Sequence, residues 1–193
     1  MRVPLGLSSM PERFCESHGL HAYHDSSFGK EVYPWGGYAI FIANAAIAWK
    51  ASRSKVVPDS TAYAEMAVAS KTAHAAVAIR TVLKGLGYGV AGVTPLLGDN
   101  KAVRDIMVKN GASAKTRHFE RVTMTVKRFY QQLVVVPYLI GTKHMAADIY
   151  TKALDQQMFF SLRDYTLNLD GGPGSRVVLT GQTARLWKKL IST

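Results

Sequence analysis

Four carboxylates occupy comparable places in the sequence and together could bind divalent metal ions. Asp25 and Asp99 each end a run of residues with strand character, whereas Glu65 and Asp148 lie near the beginning of stretches with helical character. Carboxylates brought together in a low dielectric repel one another, and hard cations with oxygen ligands remove that repulsion. Two Mg²⁺ ions about 3.5–4 Å apart form a site for in-line phosphoryl transfer. If the four acids converge, the set would form a two-metal site of the kind that nucleases use.

Three of these acids also have a simpler explanation when they are taken alone. Asp25 could begin a turn, Glu65 could be a solvated helix residue, and Asp148 could satisfy a helix N-terminus. Convergence requires that the strands ending at Asp25 and Asp99 are neighbours in one sheet. Spacing alone leaves both interpretations open.

The charge balance favours a polyanionic partner. The 193 residues include 24 Lys and Arg against 13 Asp and Glu, which gives a formal net charge of +11. An excess of this size is typical of proteins that bind nucleic acid or anionic lipid. An acidic metal centre in a basic protein fits a nuclease, whereas a basic interaction tail or a ribonucleoprotein subunit would explain the charge without catalysis.

The remaining bulk features indicate one globular domain inside the cell. With 48% hydrophobic residues, the chain is long enough for one well-buried domain. No apolar run approaches the roughly 20 residues that span a bilayer, and we expect no signal peptide. A single cysteine, Cys15, fits a reducing compartment. We expect a cytoplasmic or nuclear protein.

The pattern of apolar residues predicts an α/β domain with a mixed sheet and helices on its faces. Strands are expected at 20–25, 36–43, 45–51, 94–99 and 133–140. Helices are expected from Asp59 or Ser60 to about Leu86, over 100–109, from about Arg117 to Gln132, and from near Met145 to Leu167 with a break around Asp155. The predicted organisation is a leader (1–19), a domain (20–167), and a linker with a basic extension (168–193).

An ordered set of motifs resembles the ribonuclease H domain of copia-type (Pseudoviridae) retrotransposon polyproteins. The matching pieces are "AYHDSSF", "GGYAIFIANAAIAWKASRSK", "DSTAYAEMAVAS", "LLGDNKAV", "TRHFERVTMTVKRFY" and "AADIYTKAL". The resemblance covers about residues 20–167, and its last motif is the most specific piece. Departures include Met66 where Tyr is usual and Ser27 where a second Asp is frequent.

The resemblance implies a ribonuclease H-like fold, with a mixed five-stranded sheet and helices on both faces. It also implies an endonuclease that hydrolyses the RNA strand of RNA–DNA hybrids with two Mg²⁺ or Mn²⁺ ions. The four acidic ligands carry over onto Asp25, Glu65, Asp99 and Asp148, which would serve both as metal ligands and as the catalytic set. A reverse transcriptase or a larger assembly is the further partner that this origin suggests.

Several other residues have a possible role toward nucleic acid beside a structural one. Asn100 could contact the sugar edge of a hybrid or cap a helix. The other expected nucleic-acid contacts are Arg117 and His118, which match a basic element of the family, and Lys50 and Lys55, which belong to a basic segment after Trp49. His144 could assist proton transfer or be a solvated loop residue. Trp49 is expected in the core.

Two other functions remain open from the sequence. The chain could be a catalytically idle ribonuclease H-like domain recruited as a structural or nucleic-acid-binding subunit of an assembly. It could also be a DNA-strand transferase or DNase that shares the fold. Activity on a hybrid, on duplex DNA or on neither distinguishes the three.

Overall fold

The fold is built on a mixed five-stranded sheet, as the sequence predicts. The computed structural model describes residues 19–28, 32–42, 45–90, 92–109 and 120–169. The strands are β1 (His21–Ser26), β2 (Trp35–Ile42), β3 (Ala45–Arg53), β4 (Thr94–Gly98) and β5 (Val135–Leu139). Their spatial order is β3-β2-β1-β4-β5. The first three strands pair antiparallel, and β4 pairs parallel with both β1 and β5.

Helices cover both faces of this sheet. The α-helices are α1 (Thr61–Gly85), α2 (Lys101–Val108), α3 (Glu120–Gln131) and α4 (Gln156–Leu167). Helices α1, α2 and α3 bury one face, around a core that includes Leu20, Met66 and Leu96. A 3₁₀ turn (Ala146–Tyr150) and α4 cover the other face. Among the helices of the described residues, none is long and apolar enough to cross a bilayer.

The long helix α1 follows from its cap and its alanines. The Ser60 side chain accepts a hydrogen bond of 3.2 Å from the Tyr63 backbone N–H, which satisfies one of the free donors at the helix start. Alanines have the highest helix propensity, and Ala69, Ala73 and Ala76 are fully buried along one stripe. Small residues there let the helix lie close to β1, and this places its first turns beside the end of that strand.

Two glycines at the beginning of β2 allow close packing next to the end of β1. Gly37 pairs with Asp25 across the antiparallel ladder. A Cβ on Gly37 would lie 2.6 Å from Cβ of Tyr150, and one on Gly36 would collide with the Val68 side chain. The sheet is therefore without side chains at the two places where α1 and the 3₁₀ turn approach it.

The prediction of one last helix beginning near Met145 is wrong for the first half of that segment. No α-helix begins at Met145; two 3₁₀ turns (Thr142–His144 and Ala146–Tyr150) come first, and α4 begins only after Asp155. Asp155 has extended backbone, and its side chain accepts a hydrogen bond from the Met158 N–H at 2.9 Å, so it caps a new helix. Asp148 consequently lies in a 3₁₀ turn rather than in the first turn of an α-helix.

Trp49 is also not in the core, because 59% of its surface is exposed. It lies on β3, which is an edge strand of the sheet. Aromatic residues favour strands, but strand propensity does not say which face of a strand is covered. Pro137, by contrast, lies on the other edge strand, β5, where proline is tolerated.

Candidate metal centre

Two parallel strands deliver two carboxylates to the same edge of the sheet. Asp25 is the penultimate residue of β1, and Asp99 directly follows β4. Because β1 and β4 are parallel neighbours, their carboxyl ends meet at one edge, where ligands usually bind in sheets of this kind. Glu65, near the beginning of α1, reaches the same edge from the helix that packs over β1.

The three carboxylates converge within the reach of one ion. One oxygen from each of Asp25, Glu65 and Asp99 lies within 4.8 Å of the others. Asp25 and Glu65 are almost completely buried, and Asp99 is half-buried. An all-oxygen, all-anionic set of this kind fits a hard divalent cation such as Mg²⁺, which binds through one or two carboxylates and retains several waters.

The pKa of Glu65 shows that three ionised carboxylates at this place are unfavourable without a cation. Burial raises its pKa from 4.5 to about 9, and the negative charges of Asp25 and Asp99 add to that rise. A metal-free centre therefore holds a proton on Glu65 at neutral pH. Because carboxylate ligands bind metal in the ionised form, metal binding must release this proton.

Asp148, the fourth predicted ligand, lies beside the cluster and is paired with a lysine. Its Oδ1 is 2.9 Å from Nζ of Lys152, which is also 3.2 Å from Oδ2 of Asp25. Burial raises the pKa of Asp148 to about 6, although the hydrogen bond from Lys152 opposes that rise. The ammonium thus links Asp148 to Asp25 and neutralises part of their charge.

Two threonine hydroxyls hold the carboxylates in place. The Thr151 hydroxyl donates a short hydrogen bond to Oδ2 of Asp25. The Thr142 hydroxyl donates to Oδ2 of Asp99 at 3.2 Å. Sequence reasoning did not assign Thr142, Thr151 or Lys152. Thr151 and Lys152 are nonetheless part of the quoted motif "AADIYTKAL", so the motif supplies both an acid and the groups that position it.

His24 is a further buried polar residue next to this centre. It precedes Asp25 in β1, and its Nδ1 lies 3.9 Å from Oε2 of Glu65. Burial lowers its pKa from 6.5 to about 4, against the opposing effect of the Asp25 charge. The imidazole is therefore neutral at physiological pH. Sequence reasoning missed it, since a His in a strand gives no sign of the face it occupies.

The other predicted site residues are distributed around the centre. Asn100 caps α2, where its Oδ1 accepts a hydrogen bond of 3.2 Å from the Val103 N–H. Lys50 and Lys55 are exposed, on β3 and in the loop after it, and His144 is half-buried in the 3₁₀ turn Thr142–His144. Arg117 and His118 lie outside the described residues. Their expected contacts with nucleic acid stay predictions.

A broad groove adjoins this cluster of acids. Its volume is about 770 Å³, and its walls include Ser26, Phe28, Trp35, Tyr150 and Lys152. A second cavity of about 290 Å³ is lined by residues of β2, β3 and α1, among them Lys50, Lys71 and His74. The smaller cavity contains two ammonium groups, which suit an anionic ligand.

The order and directions of the strands, with helices on both faces, are those of the ribonuclease H fold. Solved structural relatives of this chain include RNase H1 from the halophilic archaeon Halobacterium salinarum NRC-1, with a TM-score of 0.51 and 12% identity over 68% of this chain and 93% of that chain. They also include the N-terminal RNase H domain of rv2228c from Mycobacterium tuberculosis, solved as a fusion with maltose binding protein. There the TM-score is 0.50 and the identity 15%, over 77% and 98% of the two chains.

A third similar structure contains a nucleic acid. LC11-RNase H1, solved in complex with an RNA/DNA hybrid, matches with a TM-score of 0.52 and 11% identity over 68% of this chain and 93% of that chain. No protein-family model matches the sequence, and neither does any curated protein. Similarity at these identities establishes the ribonuclease H fold. The copia-type origin stays a prediction.

Proposed function

We propose that this protein is a metal-dependent endonuclease that hydrolyses the RNA strand of RNA–DNA hybrids. The observation that carries the proposal is the convergence of Asp25, Glu65 and Asp99 at the carboxyl ends of two parallel strands. The basic surface, with a net charge of +11, suits a nucleic-acid backbone. The hybrid bound by LC11-RNase H1 supports the choice of substrate.

In this proposal the protein's acids hold Mg²⁺ or Mn²⁺, with two ions in the complete site. Asp25, Glu65 and Asp99 would hold one ion, and Asp148 would take part in holding the second after it exchanges its contact with Lys152. A bound ion of this type supplies a nucleophile from water near neutral pH and stabilises charge on the phosphate. Thr151 and Thr142 keep Asp25 and Asp99 oriented toward the centre.

We further propose that the domain derives from a copia-type retrotransposon polyprotein and acts inside the cell. The motif "AADIYTKAL", which contains Lys152, supports this origin, since its acid, hydroxyl and ammonium all take part in one network around Asp25. A reverse transcriptase or a larger assembly is the partner that such an origin favours.

One observation favours a second candidate, a catalytically idle domain recruited for its basic surface. Lys152 already pairs with Asp25 and Asp148, so part of the negative charge is neutralised without any metal ion. In an idle domain this pairing would be permanent. Substitution of the acids would then leave the binding of the chain to its partners unchanged.

The decisive experiment is cleavage of a labelled RNA–DNA hybrid by the full chain with Mg²⁺ or Mn²⁺. We expect cutting of the RNA strand alone, and loss of cutting in Asp99→Asn. The matched control is Asp105→Asn, since Asp105 is a half-exposed acid on α2 that forms a surface ion pair with Arg104. No cutting by the folded wild type would favour the idle domain, and cutting of duplex DNA would indicate a DNase.

A further inference from the structure

The buried imidazole of His24 has an unsatisfied nitrogen that faces a metal ligand. His24 is only 3% exposed, and its Nδ1 has no hydrogen-bond partner among the described residues. The polar atom that it faces is Oε2 of Glu65, at 3.9 Å. Buried polar atoms in proteins are nearly always hydrogen-bonded, so an exception next to a candidate metal centre requires an explanation.

The residue before Asp99 makes room for this imidazole. A Cβ placed on Gly98 would lie 2.7 Å from both Cε1 and Nε2 of His24. The ring therefore rests against the backbone of β4, with Gly98 on one side and Glu65 on the other. A side chain at position 98 would push the ring out of the place from which it faces Glu65.

The geometry points to His24 as a positioning residue for the metal ligand Glu65. When Glu65 is ionised, a rotation of its side chain that shortens the gap by about 1 Å lets Nδ1–H donate to Oε2. The other oxygen, Oε1, then stays directed toward the ion. Carboxylate ligands are commonly held by such outer hydrogen bonds. This role rests on the proposed function, because it requires Glu65 to be a metal ligand.

Direct measurement of Mn²⁺ binding by the full chain, from the electron paramagnetic resonance signal of free Mn²⁺, tests this role without relying on cleavage. We expect His24→Leu to raise the dissociation constant about 10- to 100-fold, the usual effect of losing an outer-shell partner. His24→Asn places an amide N–H near the position of Nδ1, so it should restore affinity to within about threefold of wild type. The control is His21→Leu, because His21 lies at the opposite end of β1 and bonds to Gly19.

Gly98→Ala provides an independent variant in which His24 is intact but displaced. We expect it to weaken Mn²⁺ binding in the wild-type background and to add little in the His24→Leu background, since the two changes remove one interaction. Thermal unfolding of each variant checks that it is folded. Wild-type affinity in folded His24→Leu would overturn the role of His24 and leave the proposed function standing. Failure of the wild type to bind Mn²⁺ would overturn both.

Discussion

Replacing Glu65 by glutamine should have opposite effects on stability without and with a metal ion. Glu65 is 4% exposed and shares its surroundings with Asp25 and Asp99. Its folded-state pKa of about 9 lies far above the ordinary value of 4.5, with burial as the main cause. Glutamine has the same shape, carries no proton to lose, and can still accept the backbone hydrogen bond of Ser26 that Glu65 accepts.

The effect of Glu65 on the free energy of unfolding follows from its pKa values in the unfolded and the folded protein. Between pH 4.5 and about 9 the folded protein keeps a proton on Glu65 that the unfolded chain has lost. Stability therefore falls as pH rises through this window, by about 1.4 kcal/mol per pH unit. At about pH 7 the accumulated cost is about 3 kcal/mol, and it nearly vanishes below about pH 4.5. Glu65→Gln removes this cost, so the metal-free variant should be the more stable protein at neutral pH.

With metal the order should reverse. A ligand that binds only the folded state stabilises it by about 4.1 kcal/mol at a thousandfold excess over the dissociation constant, which exceeds the cost of about 3 kcal/mol. The wild type gains this stabilisation, whereas glutamine, which cannot become an anion, loses most of it. Urea unfolding at about pH 5 and about pH 7, with EDTA or with Mn²⁺, gives all the required free energies.

The control is Glu120→Gln, since Glu120 is an exposed acid in the first turn of α3. It should change the free energy of unfolding by no more than about 0.5 kcal/mol under either condition. The reasoning is refuted if metal-free Glu65→Gln is less stable than wild type at about pH 7, or if its advantage does not shrink toward about pH 5. Equal Mn²⁺ stabilisation of both proteins would show that Glu65 is not a ligand.

Two further substitutions test the packing and the charge around Asp25. Gly37→Ala places a methyl group against Tyr150, and it should cost about 1–3 kcal/mol in urea unfolding, whereas Gly89→Ala, which meets nothing within 4 Å, should be nearly neutral. Lys152→Met removes the ammonium beside Asp25, and it should lower metal-free stability by about 1 kcal/mol. Because a divalent ion would then neutralise more uncompensated charge, the Mn²⁺-induced rise in the thermal midpoint should exceed that of wild type; an unchanged rise would contradict this explanation.

The sheet could be predicted because its signals are local. Alternating and continuous apolar runs mark the strands, and the alanines and Ser60 mark α1. The positions of Asp25 and Asp99 at strand ends were visible in the same pattern, and their proximity required only that β1 and β4 be parallel neighbours. The strand limits differ from those predicted by one or two residues, since the ends depend on how far the ladder continues.

The segment around Asp148 could not be predicted in the same way. An alanine-containing stretch favours an α-helix, but here the chain turns more tightly, with the Asp148 N–H bonded to the Met145 carbonyl and the Thr151 N–H bonded to the Asp148 carbonyl. The Thr151 hydroxyl and the Lys152 ammonium both contact Asp25, a residue more than a hundred positions away. Tertiary contacts therefore decide the local structure, and helix propensity does not.

The same reasoning explains why the acids were visible in the sequence and their supports were not. A carboxylate at the end of an apolar strand is unusual by itself, so it stands out without knowledge of the fold. His24 and Gly98 acquire meaning only as a pair, because the absent side chain of one makes space for the ring of the other across two strands that are distant in sequence. The ligands can thus be proposed from residue type, whereas the groups that orient them follow only from the register between β1 and β4.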